Sequence, residues 1–217
     1  MADRESVIKI CGCLHDFFNK LPRFRFPFDK QSLPLNGIYV LFEKGERGHC
    51  LDRIVRVGSH TGQNNLRERM REHFIRENKD RSIFRKNIGR ALLNTRNDPY
   101  LSQWNYDLTS KKNRVRYEHE IDWKFQQSVE SEVSEIIKDT FSFSVIHIDN
   151  REARMKYEKK MIATIGKCSK CEASDNWFGK NSPENRIRQS GLWLKQGLRQ
   201  APFSLDEFSQ FIQKVKV

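Results

Sequence analysis

The amino-acid sequence predicts an α/β (α+β) fold, a small sheet of about three strands wrapped by helices in one domain. Three observations carry this. Residues 35–42 and 53–57 are apolar, strand-like runs, and the polar stretch between them holds Gly45 and Gly48, which can turn a hairpin. A third run, residues 141–148, is apolar and β-branched and reads as a buried strand. The segments around these runs repeat apolar residues at helical spacing.

In chain order, residues 6–19 form an amphipathic helix with a stripe of Val7, Ile10, Leu14, Phe17 and Phe18, ending before Pro22. Residues 22–35 hold three prolines among alternating Arg and Phe and read as an irregular arm into the first strand. The hairpin follows, then a Gly58-Ser59-His60 loop and a basic helix over 64–78. Ser82 caps a further helix over 82–94, closed by Asn97-Asp98-Pro99. Residues 96–122 are polar and basic, with Lys111, Lys112, Arg114 and Arg116 close together, and read as an insertion. Helices over 125–138 and 151–165 flank the third strand. A loop with Asp175-Asn176-Trp177, a helix start at Ser182-Pro183-Glu184 and a last helix from Leu205 complete the chain. The division expected is an N-terminal helical arm (1–35), a core (36–177) and a C-terminal helical extension (178–217).

The chain has 217 residues and a net charge of +12. That length supports one domain with a real core. The charge points to a polyanion partner, because each phosphate contact releases condensed counterions. No apolar run approaches the ~18 residues of a membrane span, and the N-terminus is no secretory signal, so a cytoplasmic location is expected. The five cysteines are Cys11, Cys13, Cys50, Cys168 and Cys171. Cys168-Ser169-Lys170-Cys171 has the spacing of half a zinc site, but Cys11-Gly12-Cys13 is a poor other half, so free thiols are expected. His147, in a buried strand, is expected to be structural.

Two helices carry the candidate chemistry. In the first, Leu66, Met70 and Phe74 make an apolar stripe, and Arg69 and His73 form an adjacent one, able to point along the sheet toward the hairpin. Arg67 and Arg71 are placed for solvent or a phosphate backbone. In the second, Glu158 falls on the stripe of Met155, Ile162 and Ile165. A carboxylate there is paired with an Arg, protonated, or bound to a cation.

Gly37-Ile38-Tyr39-Val40, Val55-Arg56-Val57-Gly58-Ser59, the segment from Leu66 to Phe74, and Glu158-Lys159-Lys160-Met161-Ile162 stand in an order that resembles the GIY-YIG nucleases. The resemblance implies a three-stranded antiparallel sheet flanked by helices. It implies DNA cleavage with one divalent cation, Mg²⁺ or Mn²⁺, held by the late Glu. By position Tyr39 matches the first family Tyr, Arg69 the family Arg, His73 a His one turn beyond it, and Glu158 the metal ligand. Arg56 stands where the family has its second Tyr, and a cation there would hold the scissile phosphate or act on the Tyr39 phenol. Asn176 is the candidate for a downstream family Asn. His60, Arg67, Arg71, Lys111, Lys112, Arg114, Arg116 and Asn176 are the expected DNA contacts. With no zinc finger or helix-turn-helix appended, a stand-alone type II restriction endonuclease on double-stranded DNA is the first reading, with a homodimer on DNA left open. Homing, repair or mobile-element nucleases, or a non-catalytic nucleic-acid-binding module on the same fold, are the alternatives.

Overall fold

The structure is a computed structural model and describes residues 3–215. Its centre is a three-stranded antiparallel sheet in the order β2-β1-β3, built from β1 (Gly37–Gly48), β2 (Leu51–Gly58) and β3 (Phe141–His147). Alternation along β1 sends Ile38, Val40 and Phe42 to one apolar cluster and Tyr39 and Leu41 to another. The first face is covered by α1 (Arg4–Asn19), α7 (Arg151–Gly166) and α9 (Leu205–Val215). The second is covered by α2 (Leu66–Phe74), α3 (Ile83–Thr95) and α6 (Trp123–Thr140). The helices over both faces give the expected α/β arrangement. No helix among the described residues is long and apolar enough to cross a membrane.

The hairpin differs from the sequence expectation. The strand does not stop at Phe42 but continues through the polar residues to Gly48, and the turn is only His49 and Cys50, with φ of 53° and 62°. Two successive left-handed residues are what a tight two-residue hairpin requires. Gly45, at φ 90°, marks an irregularity in β1 rather than the turn. The polar stretch stays in the sheet because long-range partners bury it. Glu46 pairs with buried Arg53 at 2.6 Å. Glu43 accepts both the Trp177 and Trp193 indole N–H groups, at 2.8 and 2.7 Å. The pairing of β2 skips Val55 between Leu41↔Arg56 and Phe42↔Ile54, and the Val55 carbonyl accepts the Trp193 N–H at 2.8 Å.

Glu43 gives a pH prediction. Burial pushes its carboxyl up to about 7 from 4.5, against the indole donors. A folded-state value above the unfolded one means that the folded protein binds the proton more tightly. That contribution is fully present below about 4.5 and is lost as pH rises through about 7, up to roughly 3 kcal/mol. Unfolding of Glu43→Gln beside the wild type should show this as a difference that changes between those pH values and is flat above them. A constant difference across that range would exclude it.

Two further expectations are corrected. Met155 is exposed, and α7 packs through Tyr157, Met161, Ile162 and Ile165 instead. His147 is largely exposed and sits 2.9 Å from Asp149, at the open end of β3. The stretch read as an insertion holds helices of its own. It contains α4 (Leu101–Trp104) and α5 (Lys111–Tyr117), and Trp104 is buried with its indole N–H on the Lys86 carbonyl at 3.0 Å.

Candidate active site

Sheet register places Tyr39 opposite Gly58. The phenol crosses that glycine so closely that a Cβ at Gly58 would overlap its hydroxyl. A side chain at position 58 would therefore push Tyr39 from its place. On α2, the stripe of Leu66, Met70 and Phe74 is buried against the sheet as its spacing predicts, and this brings His73 over Tyr39. The His73 Nε2 stands 2.6 Å from the Tyr39 hydroxyl, and its Nδ1 stands 2.7 Å from the Ser82 hydroxyl. Ser82 also caps α3, accepting the Arg85 N–H at 3.2 Å. The cap of one helix thus orients the imidazole of another.

Tyr39 is only 1% exposed, so its hydrogen-bond partners are set by the fold. His73 is held well below its ordinary value, first by burial and then by the Arg69, Arg56 and Arg85 cations around it. The imidazole is neutral and carries one ring N–H. Two arrangements satisfy the chain: Tyr39 donates to Nε2 while Nδ1–H donates to Ser82, or Ser82 donates to Nδ1 while Nε2–H donates to the Tyr39 oxygen.

Arg69 flanks the same phenol. Burial works against its charge, but Tyr39 and Glu72 beside it hold it above its ordinary value. Its guanidinium bonds Glu72 and the Arg81 carbonyl, each at 2.8 Å, and it keeps 19% of its side-chain surface. Glu158, half-buried on α7, accepts a hydrogen bond from the Ser59 hydroxyl, and Ser59 follows the Gly58 on which Tyr39 lies. The other Glu158 oxygen accepts no hydrogen bond from the described residues. One such carboxylate fits a cation that keeps most of its own waters. No carboxylate cage of three ligands exists among the described residues, where the one grouping of that size is a Cys/His cluster.

The remaining sequence candidates divide sharply. Arg56 is buried, donates to the Trp193 carbonyl and lies over the Phe84 ring, so it ties the C-terminal segment to the sheet. It also stands near the His73 imidazole. His60 is turned inward: it accepts the Gly37 N–H at 3.2 Å, and burial, then the Arg154 cation, push it down to about 4. Arg67 spends its guanidinium on Gln31 and the Leu33 carbonyl, tethering the arm that precedes β1. Arg71 pairs with Glu68 at 3.2 Å. Asn176 is exposed in the loop before buried Trp177.

Lys111, Lys112, Arg114 and Arg116 behave differently. All four lie exposed on α5, and none of them has an acidic partner among the described residues. From the sequence Ser82 reads as a cap alone, and Ser59 has no role. A hydroxyl nine residues past a helix histidine carries no periodic signal.

The GIY-YIG domain model matches residues 13–217, so the chain belongs to the GIY-YIG family, whose members are nucleases. No curated protein and no solved structure matches the chain at a significant level.

Proposed function

We propose that this protein is a metal-dependent endonuclease of double-stranded DNA, acting as a type II restriction enzyme. The observation that carries the reading is the buried chain Tyr39–His73–Ser82 with Arg69 beside the phenol and Glu158 bonded to the residue after the glycine beneath it.

The chemistry follows from charge. An imidazolium among three arginines is costly, so His73 does not take up a proton during the reaction. Of the two arrangements, the one in which Nε2–H donates to the Tyr39 oxygen and the Ser82 hydroxyl donates to Nδ1 suits this role. Tyr39, directly or through a partner, serves as the general base toward the attacking water. Arg69 neutralises charge on the phosphoryl group. A divalent cation bound at Glu158, when present, supplies Lewis-acid stabilisation of the leaving oxygen. Ser59 orients the carboxylate.

The exposed charges of α5 form the DNA-facing surface. Neutralising Lys111, Lys112, Arg114 and Arg116 together should shrink the log–log salt slope of DNA binding, by on the order of 3. If α5 also reads bases, discrimination between sequences blurs too. Arg69→Ala should instead cut single-turnover cleavage by roughly 10²-fold with little change in affinity. Binding at several salt concentrations, run with single-turnover rates, separates the two. Equal loss of binding and rate in both variants would make Arg69 another backbone contact.

The burial of Tyr39 and the inward turn of Arg56 favour one second reading, a nucleic-acid-binding module on the same fold. Incubation of the pure protein with phage and plasmid DNA in Mg²⁺ or EDTA decides between them. Discrete fragments in Mg²⁺ alone are expected of a restriction enzyme; intact DNA under conditions of saturated binding would favour the module.

A further inference from the structure

At the far end of the hairpin from Tyr39 lies a second cluster that the nuclease chemistry does not use. Tyr39 and Gly48 are nine residues apart on β1, so the two regions lie roughly 30 Å apart along the strand. Four groups, Cys11 and His15 on α1, His49 in the hairpin turn and Cys171 after α7, place their ligand atoms within 4.8 Å of one another. Cys168 joins them, its sulfur 3.4 Å from His49 Nε2. Tetrahedral zinc, with Zn–S near ~2.3 Å and Zn–N near ~2.0 Å, sets its ligand atoms roughly 3.3–3.8 Å apart. The cluster is within about 1 Å of that spacing, close enough to tighten around a metal ion, and the five cysteines are free thiols.

Five residues compete for four positions, and hydrogen bonding chooses among them. His15 is occupied: Nδ1 lies 2.9 Å from the Cys11 carbonyl, and Nε2 accepts the Ile54 N–H at 3.1 Å. Its ring therefore lacks a free lone pair, although the Cys171 sulfur is 3.4 Å away. The nitrogen of His49 that faces Cys168 has no such backbone partner. Cys168 and Cys171 also share a tight turn, with the Cys171 N–H on the Cys168 carbonyl at 3.3 Å.

We propose that Cys11, His49, Cys168 and Cys171 form a structural zinc site, with His15 as a supporting residue beside it. Three thiolates and one imidazole are a closed, soft donor set, suited to zinc held for structure rather than catalysis. The surroundings are shaped for the ligands. A Cβ at Gly12 would stand 3.2 Å from His49 Nδ1, and one at Gly48 would stand 3.1 Å from the Cys171 sulfur. The left-handed His49 and Cys50 make the tight turn that delivers the imidazole. Bound metal would clamp α1, the hairpin tip and the segment after α7, three parts of the chain far apart in sequence, and its binding energy would add to folding. Exposed Cys13 and Cys50 lie outside the donor set.

The test does not depend on the nuclease reading. The purified full-length protein, kept free of chelator, should contain about one zinc per chain. Exchange into Co²⁺ should give the visible spectrum of tetrahedral cobalt with a thiolate charge-transfer band. Cys13→Ser and Cys50→Ser should keep the metal, while Cys168→Ser and His49→Ala should lose it. His49→Cys restores four donors and should regain it, which separates ligation from failure to fold. Zinc far below one per chain with no cobalt spectrum in the wild type would overturn the proposal, as would iron in place of zinc or full zinc retention in Cys168→Ser.

Discussion

Replacing Glu158 by Gln is expected to abolish metal-dependent cleavage while DNA binding survives. Gln keeps the shape of the side chain and a hydrogen-bonding partner for Ser59, so α7 and the end of β2 should stay in place. What is lost is the negative charge proposed to hold a hard cation. The chemistry assigned to that cation is worth several kcal/mol, so single-turnover cleavage should fall by about 10³-fold or more. Affinity for DNA should hold or rise, because a carboxylate near the phosphate backbone has been removed. Cleavage near the wild-type rate in Mg²⁺ would remove Glu158 from the site.

Tyr39→Phe should have an effect of the same order for a different reason. The ring remains packed over Gly58 and beneath His73, but the group proposed to accept the proton of water is gone. Loss of a general base costs roughly 10²–10⁴-fold. The substitution also leaves the buried His73 Nε2 without its partner, which costs on the order of 1–3 kcal/mol of stability. Rate must therefore be compared at a temperature where both proteins are folded. Normal cutting by the Tyr39→Phe variant would place the base elsewhere.

What the sequence carries and what it hides follow the range of the interactions. Leu66, Met70 and Phe74 repeat every four residues, so the burial of α2 and the positions of Arg69 and His73 beside it are readable locally. The third strand and the Ser82 cap are readable for the same reason. The hairpin turn is misplaced by a local reading because Glu43 and Glu46 look like loop residues. Their partners Trp177, Trp193 and Arg53 come from elsewhere in the chain or across the hairpin, and no local pattern reports them. Arg56 occupies a motif position, but its contact with the Trp193 carbonyl is also long-range. The Cys/His cluster is half visible in Cys168 and Cys171. Its other members come from α1 and from the turn that the local pattern misplaces, so no spacing rule joins them.

The most direct test of the active-site assignment is single-turnover cleavage of plasmid DNA by protein in saturating excess, for the wild type, Tyr39→Phe and Glu158→Gln, in Mg²⁺ and in EDTA. The assignment expects rapid cutting by the wild type in Mg²⁺ alone. It expects the two variants to bind the same DNA and leave it essentially uncut. Wild-type reactions that leave the DNA intact in Mg²⁺, or variants that cut at the wild-type rate, would contradict a nuclease site built on Tyr39 and Glu158.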